Sequence, residues 1–247
     1  MGLFLTLAFL FFIGSLSGWI IELFFRRFIS SANPERKWIN PGFCVGPYIP
    51  LYGVGLCILF LIALIEPALP ALSPLWRKLL LFFVMALCMT VLELITGIFC
   101  LGVLHVRLWD YSSEWGNLRG IICPKFSLIW AALGALYYFL IHPHILNALE
   151  WLSRNLAFSF VVGMFFGVFI LDVAHSAQLI AKIKKFADDN DVVVRYEHLK
   201  AHIRRRHVET RETYHFFRPF HTERPLREIM QELRGTLEQK KNRRNKS

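Results

Sequence analysis

An all-α membrane bundle of about five spans with a helical tail is the fold this sequence predicts, and three observations predict it. Apolar residues make up 55% of the 247, and they fall in runs long enough to cross a hydrocarbon core about 30 Å thick. Short linkers rich in Gly, Pro and Trp separate those runs. The basic residues gather on alternate linkers and in the last quarter of the chain.

The first run, Leu3 to Phe25, is too long for the apolar core of a signal peptide. It has no small-residue cleavage site and is followed by Arg26 and Arg27, so it is expected to remain as an anchor. The second, Phe43 to Ile65, is entered through "PGFCVGPYIPLYGVG", Pro41 to Gly55. Gly and Pro disrupt helices and free backbone groups, and at the edge of lipid those groups need a protein or water partner. The stretch is therefore expected to be a Gly/Pro-interrupted helix forming half of a polar cavity open to the cytoplasm. Three more spans follow at Trp76 to Leu101, Ile121 to Ile141 and Leu156 to Ile180, closing a membrane domain of residues 1–181.

Residues 182–247 form a basic tail. In it "FADDNDVVV" breaks the last span's helix, "RYEHLKAHIRRRHVETRETYHFF" resumes a charged helical pattern, and "YHFFRPFH", Tyr214 to His221, is suited to the lipid interface or to packing on the bundle. Lys and Arg close to spans stay on the cytoplasmic side. With the tail inside, 25 of the 28 basic residues are cytoplasmic and only Arg77, Lys78 and Arg154 lie outside, which puts the amino terminus outside. Of the net charge of +10, the tail carries +8. No nucleic-acid motif accompanies that charge, so its expected partner is the anionic inner leaflet rather than nucleic acid. Cys44, Cys57, Cys88, Cys100 and Cys123 have no CxxC spacing and are expected as free thiols.

The two cytoplasmic linkers resemble one another. At an offset of 77 residues Trp38 matches Trp115, Asn40 matches Asn117, Pro47 matches Pro124 and Leu51 matches Leu128. Spans 1–2 and 3–4 would then be a parallel repeat of the kind some transporters use, with span 5 outside the pairs. A coincidence of turn chemistry is the competing reading.

Three acids lie within spans: Glu22, Glu93 and Asp172. Such residues usually face a bundle interior or water and mark function. Glu22 has a structural alternative, an i,i+4 pair with Arg26. Asp172 and His175 make a single D-x-x-H step, too little to assign a metal. The densest polar stretch is "LHVRLWDYSSEWGNLRGIICPKFS", Leu104 to Ser127. Arg107, Arg119 and Lys125 could hold a phosphate or carboxylate there, and His105 with Asp110 or Glu114 could act as acid and base. No nucleophile elbow, phosphate-binding loop or HExxH is present.

The segments "GSLSGWIIELFFRR", "WINPGFCVGPYIPLYGVG", "LELITG" and "LWDYSSEWGNLRGIICPKFSLIWAALG" resemble a bacterial membrane family called ABC-transporter permease, CmpB-like, type IV. The resemblance covers about Gly14 to Leu140 and implies an inner-membrane protein, with an ATPase subunit as a partner to look for. The reading favoured here is a permease-like protein whose cavity is lined by Glu22, Asn40, Glu93, His105, Arg107, Asp110, Asn117 and Arg119, without a cofactor. An intramembrane enzyme acting on a lipid or lipid-linked substrate, and a scaffold or sensor recruiting a partner through the tail, stay open beside it. So does a homo-oligomer.

Overall fold

The computed structural model describes residues 2–30, 33–71, 73–155, 157–189, 193–209 and 227–235. Within them, five helical stretches are long and apolar enough to cross a membrane. Helix α1 is Leu3–Phe28. Helix α2 is Pro50–Ala63, followed by a 3₁₀ turn at Glu66–Ala68, and α3 is Pro74–Gly102. Helix α4, Pro124–Ala135, passes through a π-helical stretch, Leu136–Ile141, into α5, His142–Arg154, and α6 is Ala157–Asp189. The chain is an all-α membrane bundle.

Local chemistry sets several of these boundaries. Helices α2, α3 and α4 each begin on a proline, whose missing N–H costs nothing in a first turn. Pro143 cannot donate to the carbonyl one α-turn earlier, and the widened π stretch falls immediately before it. Tyr137 and Tyr138, both buried in that stretch, bind His142 Nδ1 at 2.7 Å and Glu66 Oε2 at 2.7 Å, closing the end of the bundle away from the tail.

Helices α1 and α2 approach closely because glycines face the contact. A methyl group at Gly18 would overlap the Tyr52 ring, and one at Gly53 would overlap Ser15 Oγ and the Phe11 carbonyl. Close approach of this kind supplies the dispersion contacts that hold helices together where lipid offers no hydrophobic drive. Leu10, Phe60, Leu81, Met85, Met89 and Trp130 fill the core between α1 and α4. Helix α6 lies on α1 through rings: Phe11 meets Phe166 and Phe169, and Phe12 meets Phe165. Phe83, Leu87, Phe160 and Leu171 point outwards, as lipid-facing side chains do.

At about 1.5 Å per residue α6 is about 50 Å long, more than a hydrocarbon core needs. Its last turns project beyond the bundle and build a second core. There Ile180, Ile183 and Phe186 pack with Val106, Tyr196, Leu199, Ile203 and Met230. Strand β1, Val106–Arg107 in the α3–α4 linker, pairs in parallel with β2, Val194–Arg195, and helix α7, Tyr196–Glu209, follows. The described part of the tail is thus folded against both linkers. The aromatic stretch 214–221 and residues 236–247 lie outside the described residues.

The second span differs from expectation. Helix α2 starts at Pro50, and residues 41–49 are irregular backbone rather than interrupted helix. The reason is tertiary and is given below.

Leu199 is fully buried in the second core, so Leu199→Ala should cost about 2–5 kcal/mol there. Limited proteolysis of the purified protein should then cut within the tail faster while the five spans stay intact. An unchanged cleavage rate would mean that the second core does not hold the tail.

Candidate functional site at the tail-facing end of the bundle

Both long linkers emerge at the end of the bundle that carries the tail, and Glu22 and Glu93 lie just inside it. Glu93, on α3, is 3% exposed. Its Oε1 accepts a hydrogen bond from Tyr111 Oη at 2.9 Å, while Oε2 is buried without one. The Trp130 indole of α4 lies beside the carboxyl, outside hydrogen-bonding geometry. Glu22, on α1, accepts from Tyr52 Oη of α2 at 3.2 Å and from Arg26 Nε at 2.9 Å. The two carboxyls are near enough to interact electrostatically. Rings frame them: Tyr52 against Trp130 at 5.0 Å, and Tyr111 stacked on Phe126 at 4.1 Å. Burial, foremost, pushes the Tyr111 phenol well above its ordinary range, so it remains a donor.

Glu22 does form the i,i+4 pair with Arg26, and Arg26 reaches further, to Glu197 of α7. Burial alone would push the Glu197 carboxyl up, but Arg26 and Lys200 hold it below the usual range. Lys200, one turn on, is 3% exposed. Its Nζ donates to the backbone carbonyls of Asn40 at 3.1 Å and Gly42 at 2.6 Å and lies over the Tyr196 ring. Burial pulls its pKa down to about 8 despite Glu197. Arg204, another turn along, binds Glu35 at 3.3 Å. One face of α7 therefore grips the end of α1 and the α1–α2 linker at three successive turns.

Asn40 is a fastener within that linker. Its Oδ1 accepts from Trp19 Nε1 at 2.7 Å, and its Nδ2 donates to the carbonyls of Cys44 and Val45 at 3.2 and 3.0 Å. Asp172 of α6 holds the other side. It accepts from the amides of Val45 at 3.0 Å and Gly46 at 2.7 Å, from the Tyr48 hydroxyl, and from Ser176 Oγ at 3.0 Å. These bonds fix residues 41–49 as non-helical backbone.

In the α3–α4 linker the expected acid–base residues have other partners. His105, in the left-handed region at φ 53°, meets Asp188 through Nδ1, and its carbonyl accepts from the Val194 amide. Arg107 binds Asp110 at 2.8 Å, and Asp110 also meets Arg195 of β2 at 3.3 Å. Burial would push the Asp110 carboxyl up, but the Ser112 hydroxyl and amide, Arg107 and Arg195 together hold it below the usual range. A Cβ at Gly120, where φ is +68°, would fall among Arg107, Ser112 and Asp110, so that turn requires glycine. Asn117 donates to the carbonyls of Ser112 and Glu114 and accepts from the Gly120 amide, all within its own linker. Arg119 is exposed, without an ion pair among the described residues, and Lys125 binds Glu114 at 3.0 Å.

The fold thus brings Glu22 and Glu93 together and sets His105, Arg107 and Asp110 at the tail contact. It uses Asn40 and Asn117 to order separate linkers and leaves Arg119 on the surface. Tyr52, Tyr111, Trp130, Glu197 and Lys200 were not among the residues selected from sequence. Only the α7 trio left a trace there, as Glu197, Lys200 and Arg204 share helical spacing.

These features define a five-span, all-α membrane protein with a buried acid, Glu93, beside a half-buried one, Glu22, beneath two ordered linkers. Residues 9–177 match the family described as "Putative ABC-transporter type IV", and the chain belongs to that family. The match takes in Glu22, Glu93 and both linkers and stops within α6, before the tail. Comparison with curated proteins gave no match, and comparison with solved structures gave none.

Two outcomes follow. Asp172→Ala strands two amides and two hydroxyls, at about 1–3 kcal/mol for each group left buried. Cys44, 3% exposed in the linker those groups anchor, should then react with a thiol reagent at least about tenfold faster, as mapped by mass spectrometry; unchanged Cys44 reactivity would remove Asp172 as the anchor. Lys200 is charged in folded and unfolded chains alike below about pH 8, whereas between there and its ordinary 10.5 only the unfolded chain keeps the proton. Its contribution to stability therefore rises across that window. The melting midpoint of the wild type should gain on that of Lys200→Met as pH is raised from about 8 to 10, and a constant difference would contradict the assignment.

Proposed function

We propose that this chain is the membrane-embedded, permease-like subunit of an ABC-type transport system in a bacterial plasma membrane, with its tail in the cytoplasm. The observation that carries the reading is Glu93, an acid held inside the span region beside a second acid, in a family described as transporter proteins. An intramembrane carboxyl that faces the bundle interior is costly to keep and marks a transport path more often than it stabilises a fold. Glu22, Tyr52, Glu93 and Tyr111 form the polar centre of that path, and the two linkers above it form its cytoplasmic mouth.

The distribution of basic residues supports the cytoplasmic tail. The linkers, tied to α6 and α7 at several points, are placed to pass on a movement imposed from the cytoplasmic side. A lipid-directed enzyme finds less support, because His105 is turned to Asp188 and Asp110 to two arginines, leaving neither as the other's proton partner.

The test is purification of the tagged chain from its own cells in mild detergent, followed by reconstitution in liposomes. An ATPase subunit with a phosphate-binding loop should co-purify, and the reconstituted complex should hydrolyse ATP. Glu93→Gln should lower its turnover at least about tenfold, a loss of about 1.4 kcal/mol in barrier terms, while assembly is unchanged. Absence of an ATPase from the assembly, or full turnover with Glu93→Gln, would overturn the reading.

A further inference from the structure

Three acids lie in the spans, and the fold compensates two of them. Glu22 has Arg26. Asp172 has four donors, two of them backbone amides. Glu93 has no cation beside it among the described residues. The groups facing it are Glu22 from α1, already engaged by Arg26; Tyr52 from α2; Tyr111 from the α3–α4 linker; and Trp130 from α4. Its own helix offers Met89, Thr90, Thr96 and Gly97 within about one turn, none of them charged. Its one donor, the Tyr111 hydroxyl, is neutral, and the nearby charge on Glu22 is of like sign.

An ionised carboxylate in that setting bears an uncompensated burial cost, and the neighbouring carboxylate adds to it. Among the described residues no cluster of three or more His, Cys, Asp or Glu side chains is gathered to hold a metal ion there. A proton needs no such ligand set.

We infer that Glu93 is a proton-binding site of the polar centre: in this conformation it is a carboxylic acid, with Oε1 accepting from Tyr111 and the proton on Oε2. The inference deepens the transport reading by naming the ligand of that centre, and it rests on that reading only for its role in a cycle. Tyr111 sits in the linker that β1 ties to the tail. Movement of that linker withdraws the Tyr111 donor and opens Oε2 to water, so the carboxyl and a water molecule exchange one proton and nothing else. Proton binding at Glu93 is thereby linked to the position of the α3–α4 linker.

The experiment is infrared difference spectroscopy on the purified full-length protein in lipid nanodiscs, with protons as the probe and no ATPase present. At about pH 7 the wild type should show a carboxylic-acid C=O stretch that shifts in heavy water, and Glu93→Gln should remove it. Tyr111→Phe should move the same band, because it deletes the hydrogen bond to the carboxyl. Denaturing the wild type at that pH should release about one proton per chain more than denaturing Glu93→Gln, since an unfolded glutamic acid ionises there. If Glu93→Gln fails to insert, the band and its Tyr111→Phe shift decide alone. Absence of a C=O band at about pH 7, or a band insensitive to both substitutions, overturns the proton site. Those results stand whether or not an ATPase is found, so failure here and failure of the transport reading are separate outcomes.

Discussion

Unpaired backbone at the edge of lipid is the constraint on which this structure depends. Residues 41–49 are non-helical, their prolines and glycines weakening a helix without excluding it, and near a bilayer their amides cannot be left without acceptors. Asp172 supplies those acceptors from a helix more than 120 residues away in sequence, taking the Val45 and Gly46 amides and the Tyr48 hydroxyl on one carboxylate. Asn40 and Lys200 take the linker's carbonyls. The irregular segment is thereby a fixed part of the bundle. Asp172 ties α6 to the segment that leads from α1 into α2.

The same requirement governs the charges. Arg26 lies between Glu22 and Glu197, so the end of α1 and the start of α7 are joined through one guanidinium. A buried pair broken on one side leaves its partner uncompensated, which is why such contacts fix relative positions strongly even where they add little net stability. Glu93 stands outside this pattern, held by a phenol beside an indole. Compensation of the other two acids is what makes its chemistry distinct.

The tail takes part in this architecture. Helix α6 is long enough to leave the membrane and continue into a second core, and β1–β2 joins that core to the α3–α4 linker. Both linkers are thus held by elements that lie beyond the matched family region. The basic character of the tail, read from composition as attraction to anionic lipid, describes its surface; its buried face is apolar. Lys200 and Arg204, which count towards that positive charge, are turned inwards onto carbonyls and Glu35.

Five spans, their order and the three intramembrane acids were legible in the sequence, because each rests on a local property: run length or the rarity of charge in apolar segments. So was the Glu22–Arg26 pair, which needs only helical spacing. The sequence could not say that residues 43–49 stay outside the second helix, because the groups that hold them there come from α6 and α7. Nor could it separate Glu93 from Asp172, two acids without a basic neighbour in sequence. Distant chain brought two amides and a hydroxyl to Asp172, whereas Glu93 received a single phenol. His105 and Asp110, close enough in sequence to suggest a pair, were drawn apart by Asp188 and Arg195 when the tail folded back. Tertiary structure decided each of these because hydrogen bonds and ion pairs depend on separation in space, and over such distances along the chain sequence spacing does not set it.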